Sequence, residues 1–412
     1  MTSRSIAVVG SGPSGLYAAD ALVRLDPEAT IHIYERLPTP FGLIRFGVAP
    51  DHPGTKAVTR QFDRLMARPN LRFLGNVEVG RNPDLDELQA AYDLVIMATG
   101  APRDRRMDIE GDEPGQIYGS AAITGWYNGH PDHSDETPVI GRRVTIFGMG
   151  NVAIDIARIL LKPRDELAHT DMPPAVVAAL RDCLPDEVSL VARRGPEHAS
   201  FTPTELAALA ALPGLSVHIG GTIPDNAGDT LIEKRLDLLR SLKGTGTGGD
   251  RRLNLLFGRQ PAVVRRSHHG QVVQLQNSAT NQQEEHLADT LISAIGYECQ
   301  DLPGIRTEDG RILSDGSGRV ARGVYAVGWC RRGSNGTIPT NRQEAQAVVK
   351  AALASPDLTA GKSPSQLIAR LEQSSAPIVD WATWKRIEAI ERGDGCMPGK
   401  LATWVELLDA AK

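Results

Sequence analysis

Short apolar runs that end in glycine recur along this chain. Ile6-Ala-Val-Val9 leads straight into Gly10-Ser-Gly12-Pro-Ser-Gly15 and then a helical pattern from Leu16 to Arg24. Val144-Thr-Ile-Phe147 repeats the unit with Gly148-Met-Gly150-Asn-Val-Ala153, alanine standing as the third small residue. Its helix continues through Ala157, Leu160 and Leu161 to Pro163. Ile31–Glu35, Tyr92–Gly100, Val188–Ala192, Leu291–Gly296 and Val324–Gly328 read as further strands. Strands alternating with helical segments predict an α/β fold with largely parallel sheets. Two strand–glycine–helix units predict two Rossmann-type dinucleotide-binding domains. Lys243–Asp250, rich in glycine and threonine, reads as a flexible surface loop. Near the end, Ser365–Glu372 and Trp384–Glu391 read as short helices between glycine and proline breaks.

Composition narrows the class. With 412 residues, two to three domains are expected at about 150 residues each. The 41% hydrophobic and 23% charged residues are those of an ordinary globular chain. No run approaches the roughly 18 apolar residues of a membrane span. The 45 basic and 50 acidic residues leave a net charge of −5, which gives no electrostatic case for nucleic acid. Neither nucleic acid nor membrane is therefore an expected partner. Cys183, Cys299, Cys330 and Cys396 are scattered, with no CxxC pair and no zinc or iron–sulfur spacing, so no metal site is expected. Scattered thiols and the absence of a signal-peptide pattern at the start point to a cytoplasmic protein.

The glycine loops carry the chemistry. Gly10 permits a tight turn, Gly12 lets a pyrophosphate approach the backbone, and Gly15 lets helix and strand pack closely. The helix start then offers unpaired N–H groups and a partial positive charge to phosphate. Glu35 follows Gly15 by 20 residues, at the end of the next strand, where a carboxylate accepts from an adenosine ribose. The second unit differs there: its next strand ends in Arg193-Arg194. Two guanidiniums suit a ribose 2′-phosphate, which an acid would repel. The first loop thus reads as an FAD site and the second, with Gly148 and Gly150, as an NADP(H) site.

Longer strings carry a resemblance. Gly10-Ser-Gly-Pro-Ser-Gly15, Glu35-Arg-Leu-Pro-Thr-Pro-Phe-Gly-Leu-Ile-Arg45, Gly47-Val-Ala-Pro-Asp-His-Pro53, Gly75-Asn-Val77, Gly125-Trp-Tyr-Asn128, Gly150-Asn-Val-Ala-Ile-Asp155 and Arg193-Arg-Gly-Pro196 together resemble the adrenodoxin-reductase-like ferredoxin–NADP⁺ reductases. The likeness runs from the first strand to near Leu408. It implies a glutathione-reductase-like fold, with an NADP domain at 104–319 inserted in a discontinuous FAD domain at 1–103 and 320–412. It also implies hydride transfer from NADPH to FAD and single electrons passed to a small iron–sulfur ferredoxin, which could feed a cytochrome P450. The family's FAD contacts fall on Gly12, Ser14, Glu35, Leu43, Val77, Trp329, Gly336, Thr337 and Ile338. Its NADP contacts fall on Gly150, Asn151, Val152, Arg193, Arg194 and Glu205, with Gly336 shared. His52 and Asp155 match a candidate proton or water relay near the flavin.

The chain departs from that family at several points. A proline is lost at Ser334 and gained at Pro339, where the backbone beside the flavin is expected to differ. Thr204-Glu-Leu-Ala-Ala208 has alanine at a usually acidic position, and the region from Ile223 to Ala288 is short and glycine-rich. Lys234, Arg235 and Arg240 at helical spacing, with Arg331 and Arg332 after Trp329, are the expected basic patch for an acidic ferredoxin docking across the cleft between the two domains. A monomer is expected, with a dimer as the alternative. An NADPH oxidase, or a quinone or dye reductase with no ferredoxin partner, would use the same fold. A thioredoxin reductase is excluded for want of CxxC.

Overall fold

The computed structural model describes residues 3–226, 228–243, 249–393 and 399–412. Cys396 and the middle of the expected Lys243–Asp250 loop lie outside the described residues. The chain divides into two compact units, residues 1–103 with 297–412, and residues 104–296. The return to the first unit thus begins at Tyr297 and not at residue 320. The physical reason is apolar: Cys299, Ile305 and Ile312 are buried in the same core as Val77, Leu88 and Tyr92.

In the first unit, β1 (Ser5–Val9) lies between β2 (Thr30–Glu35) and β4 (Leu94–Met97), parallel to both, and β3 (Leu71–Gly75) pairs with β2. Val324–Ala326 and Arg319–Ala321 complete a six-stranded sheet on the side of β4. Every residue of β1 and β4 is buried, as parallel strands covered on both faces require. Helix α1 (Pro13–Leu25) starts three residues before its apolar pattern does, with Pro13 in the first turn, where the missing N–H costs nothing. It buries Leu16, Ala18, Ala19 and Leu22 in one core with Ile6, Val8 and Ile31. Three short helices follow the second strand: α2 (Leu43–Phe46), α3 (Pro53–Lys56) and α4 (Thr59–Met66).

Polar groups cross this core as one chain. His32 Nδ1 lies 2.6 Å from the Tyr92 hydroxyl, which lies 2.7 Å from that of Tyr34. Burial, aided by the charge of Arg72, pushes the His32 imidazole down to about 4, and burial pushes the Tyr34 phenol up to about 12. The unfolded chain binds the imidazole proton near pH 6.5 and the native one only near 4. The stability contributed by the neutral imidazole is therefore complete above pH 6.5 and is lost as pH falls toward 4. Urea unfolding should lose roughly 1.4 kcal/mol per pH unit to this group within that window. His32→Phe should flatten the slope; an unchanged slope in that variant would assign it to other groups.

In the second unit the parallel sheet runs β5 (Ile117–Gly119), β13 (Thr290–Ser293), β6 (Arg143–Phe147), β7 (Glu187–Ala192), β9 (Arg251–Phe257), β8 (Leu215–Gly220). Helix α5 (Asn151–Leu161) follows β6, and α6 (Pro203–Ala210) follows β7. The small Ala153, with Ile154, Ile156 and Ala157, is fully buried in one core with Ile146, Val188 and Leu190. A separate antiparallel sheet, β10 (Arg259–Ser267), β11 (Gly270–Asn277) and β12 (Gln283–Ala288), closes over Phe147, Val191 and Leu291 through Val264, Val273, Leu275 and Ala288. No described helix is long and apolar enough to cross a membrane.

Candidate nucleotide-binding sites

The first glycine loop divides its labour. A Cβ on Gly10, whose φ is +104°, would lie 2.4 Å from the Ala98 carbonyl oxygen, and one on Gly15 would lie 1.9 Å from the Gly10 carbonyl oxygen. Those two glycines are dictated by the packing of strand on helix. A Cβ on Gly12 would meet no atom within 4 Å. No side chain caps α1 at Gly12, so the helix start is left for a ligand. Phe41 N–H donates to the Ser11 carbonyl at 3.1 Å, which brings Gly42 against Gly12. Phe41 itself holds a φ of +82°, a strained value for an aromatic residue.

Glu35 faces this loop. One carboxylate oxygen accepts from Ser11 N–H at 2.9 Å and Ser11 Oγ at 2.7 Å, and the other from Leu37 N–H at 3.0 Å. A carboxylate has about four acceptor positions, so one remains for a further donor. Val77 N–H donates to the Glu35 carbonyl at 2.9 Å. Leu43, at the start of α2, is 40% exposed, a large apolar side chain with surface to spare. Ser14 lies in the first turn of α1 against Gly328, where a Cβ would come within 2.2 Å of Ser14 Oγ. Trp329 follows, its Nε1–H donating to the Asn335 carbonyl at 3.1 Å.

Two residues here escaped the sequence reading. Tyr297 stacks on Trp329 with ring centroids 5.9 Å apart and planes 15° apart. Glu344 accepts from Gly328 N–H at 2.9 Å and pairs with both Arg331 and Arg332. Tyr297 stands just after a strand-then-glycine ending, a signal that could have found it. Gly336 and Thr337 are exposed, and Thr337 caps helix α7 (Ile338–Leu353) in a reciprocal box with Thr340. Pro339 lies in the first turn of that helix, where no N–H is needed, so the altered string leaves a regular helix start. His52 precedes α3, its carbonyl accepting from Thr55 and Lys56 N–H at 3.2 Å.

The second loop repeats the plan. Gly148, with φ +139°, leaves no room for a Cβ, which would fall 2.3 Å from the Ala294 carbonyl oxygen. Gly150 starts α5 with no side-chain cap. Asn151 Oδ1 accepts from Thr202 N–H at 2.8 Å, and Ser200 N–H donates to the Met149 carbonyl at 3.1 Å, which folds residues 200–202 beside the loop. Val152 is partly buried against the unit's core. Thr202 caps α6 by accepting from Glu205 N–H. Arg158, with 3% of its side chain exposed, reaches Asp155 at 2.7 Å and Glu205 at 3.2 Å. This buried guanidinium, unforeseen in the sequence, gathers the two acids onto one cation. Arg193 and Arg194 are exposed at the end of β7 and have no acid partner among the described residues. Their carbonyls, by contrast, are fixed: Arg193 accepts from Ser278 Oγ at 2.8 Å and Arg194 from Gly258 N–H at 3.1 Å.

The expected basic patch is not one. Arg235 is buried, 9% exposed, on the core face of the helix Thr230–Leu242. Arg240 is held by Glu233, Asp237 and the Pro224 carbonyl. Arg331 and Arg332 are both held by the single carboxylate of Glu344. Of the five cations, Lys234 alone is exposed.

A family model described as pyridine nucleotide-disulphide oxidoreductase matches residues 4–210. The chain is 34% identical to NADPH-ferredoxin reductase FprA of Mycobacterium tuberculosis, over 98% of each protein. It is 33% identical to the mitochondrial NADPH:adrenodoxin oxidoreductase of Arabidopsis thaliana, over 98% of this chain and 95% of that protein. The solved structure of Mycobacterium tuberculosis FprA in complex with NADPH superposes with a TM-score of 0.93 over 99% of both chains. The chain therefore belongs to the pyridine nucleotide-disulphide oxidoreductases, in their ferredoxin–NADP reductase branch.

Proposed function

We propose that this protein is an FAD-dependent NADPH:ferredoxin oxidoreductase. The observation that carries the reading is the pair of glycine loops with opposite companions. The carboxylate of Glu35 holds the first loop, whereas the strand after the second loop ends in the exposed Arg193 and Arg194, which have no acid partner among the described residues. The first fits FAD: Gly12 borders open space at an uncapped helix start, and Glu35 retains an acceptor position for a ribose. The second fits a nucleotide with a 2′-phosphate. Gly12, Ser14, Glu35, Leu43, Val77, Trp329, Gly336, Thr337 and Ile338 would hold FAD, and Gly150, Asn151, Val152, Arg193, Arg194 and Glu205 would hold NADPH. Bound FAD would supply the hydride acceptor and the capacity to release electrons singly. The chain's own residues bind, orient and shield the two nucleotides. The electron acceptor is read as a small acidic iron–sulfur ferredoxin, the enzyme as a cytoplasmic monomer.

His52 and Asp155 are candidate relay residues, but neither is needed to carry the hydride. Asp155 is held by Arg158, which it shares with Glu205. His52→Ala and Asp155→Asn should each slow flavin reduction by less than about a hundredfold, the low end of acid–base contributions. Stopped-flow bleaching at saturating NADPH would measure this; a loss beyond about a thousandfold with FAD still bound would make the pair catalytic.

The functional reading itself is tested by anaerobic titration. NADPH should bleach the bound flavin, and added ferredoxin should restore the colour while becoming reduced. Rapid oxygen or quinone reduction that ferredoxin does not alter would replace this reading with the oxidase or quinone reductase.

A further inference from the structure

Helix α4 and the turn after it carry arginines that no acid among the described residues pairs with. Arg60 and Arg64 stand one turn apart on the same side of the helix, and Arg68 follows two residues past its end. All three are exposed, and none has an acid partner among the described residues. Lys56, one turn earlier, extends the row, its ammonium 3.5 Å from the Arg45 carbonyl. Arg64, in the last turn of the helix, suits its dipole. Arg60 and Arg64, like charges four residues apart on the helix, repel one another. Arg60 stands in the first turn, where the helix dipole opposes a cation and no acid offsets it. The one nearby acid on the helix, Asp63, is 3.4 Å from the Lys385 ammonium instead.

The opposite face of α4 is firmly seated. Phe62, Leu65 and Met66 are buried. Phe62 meets Tyr17 edge-on at 5.1 Å, and Gln61 Nε2 donates to the Tyr17 hydroxyl at 3.0 Å. Tyr17 belongs to α1, the helix that opens at Gly12. The arginine row is thus fastened to the element carrying the first glycine loop.

We propose that Arg60, Arg64 and Arg68 form the docking surface for the acidic face of the protein that accepts this enzyme's electrons, an inference that rests on the functional reading above. Charge complementarity argues for that occupant. The chain as a whole, at −5, repels an acidic protein, so attraction must be local. Of the five cations that the sequence offered for the task, Arg235 is buried, Arg240 is paired with two acids, and Arg331 and Arg332 share the one carboxylate of Glu344, whereas Arg60 and Arg64 stand about 6 Å apart along α4 with Arg68 just past its end. Three guanidiniums at that spacing match a run of carboxylates on a partner, each able to take one bidentately. Their effect falls chiefly on the encounter rate and its salt dependence.

The test compares the wild-type holoenzyme with R60E/R64E/R68E and R60Q/R64Q/R68Q. The probes are a recombinant acidic [2Fe–2S] ferredoxin, menadione as a small neutral acceptor, and phosphatidylglycerol vesicles. Charge reversal should raise KM for ferredoxin about tenfold or more at low salt and flatten its salt dependence, with the glutamine variant between. Flavin content and menadione reduction should not change, which also certifies the fold. A triple variant that keeps both the wild-type KM and its salt slope overturns the proposal alone. Wild-type enzyme whose flavin NADPH bleaches but which reduces no ferredoxin overturns the functional reading and this proposal with it. Arginine-dependent binding to the vesicles with unaltered ferredoxin kinetics would assign the row to a membrane surface and overturn the docking site.

Discussion

Gly12→Leu should purify folded and colourless. The residue has φ −69° and ψ 179°, an extended conformation that leucine adopts without strain. No protein atom lies within 4 Å of where its Cβ would stand, so the fold has nothing to lose there. What the side chain fills is the space beside the uncapped start of α1, where the pyrophosphate would lie against backbone N–H groups. The expected result is a melting temperature equal to that of flavin-stripped wild type and no flavin absorbance after incubation with FAD. It should melt below the wild-type holoenzyme, because a ligand bound only to the native state stabilises it by mass action. Gly15→Ala should behave in the opposite way. Its Cβ would sit 1.9 Å from the Gly10 carbonyl oxygen, so helix and strand must separate before any cofactor question arises. Loss of soluble yield is expected. A yellow Gly12→Leu enzyme with full flavin content would remove the first loop from the FAD site.

The contrast between these two glycines shows which parts of the molecule can be read from its sequence. The parallel strands at the centre of each sheet are legible because strands buried on two faces are rich in apolar residues, as in β1 and β4. Gly10, Gly15 and Gly148 are legible because close backbone approach admits no substitute. The antiparallel sheet of β10, β11 and β12 is not, since its glutamine-, glutamate- and arginine-rich strands send only Val264, Val273, Leu275 and Ala288 to the core. Helical spacing alone also does not say which face turns inward. Arg235 shares its face with the buried Leu236 and Leu239, so a sequence-level basic stripe became core and internal ion pairs. Arg158 escaped for a related reason. Asp155 lies three residues before it on the same helix, but Glu205 comes from a helix 47 residues away. Only the fold brings both acids to one guanidinium.

Arg193→Ala/Arg194→Ala should remove the preference for NADPH and leave the rest of the enzyme intact. The two residues do separable things. Their carbonyls hold the turn after β7, through Ser278 Oγ and Gly258 N–H, and alanine supplies the same carbonyls. Their guanidiniums have no acid partner among the described residues, so truncation strands no buried charge. Stability should stay within about 0.5 kcal/mol of wild type, as for other exposed substitutions. A 2′-phosphate, by contrast, loses two charge-assisted partners, each contributing roughly 1.5–3 kcal/mol. At about 1.4 kcal/mol per decade, kcat/KM for NADPH should fall by about two to four decades while that for NADH holds. Arg193→Lys/Arg194→Lys should recover part of the loss, because an ammonium keeps the charge but not the planar fork. Rising salt should weaken NADPH more than NADH in the wild type, since exposed cations are screened beyond about 8–10 Å at physiological ionic strength. In the alanine variant the two nucleotides should respond alike. Equal use of NADH and NADPH by the wild type, or a double variant that still prefers NADPH, would show that the 2′-phosphate is recognised elsewhere.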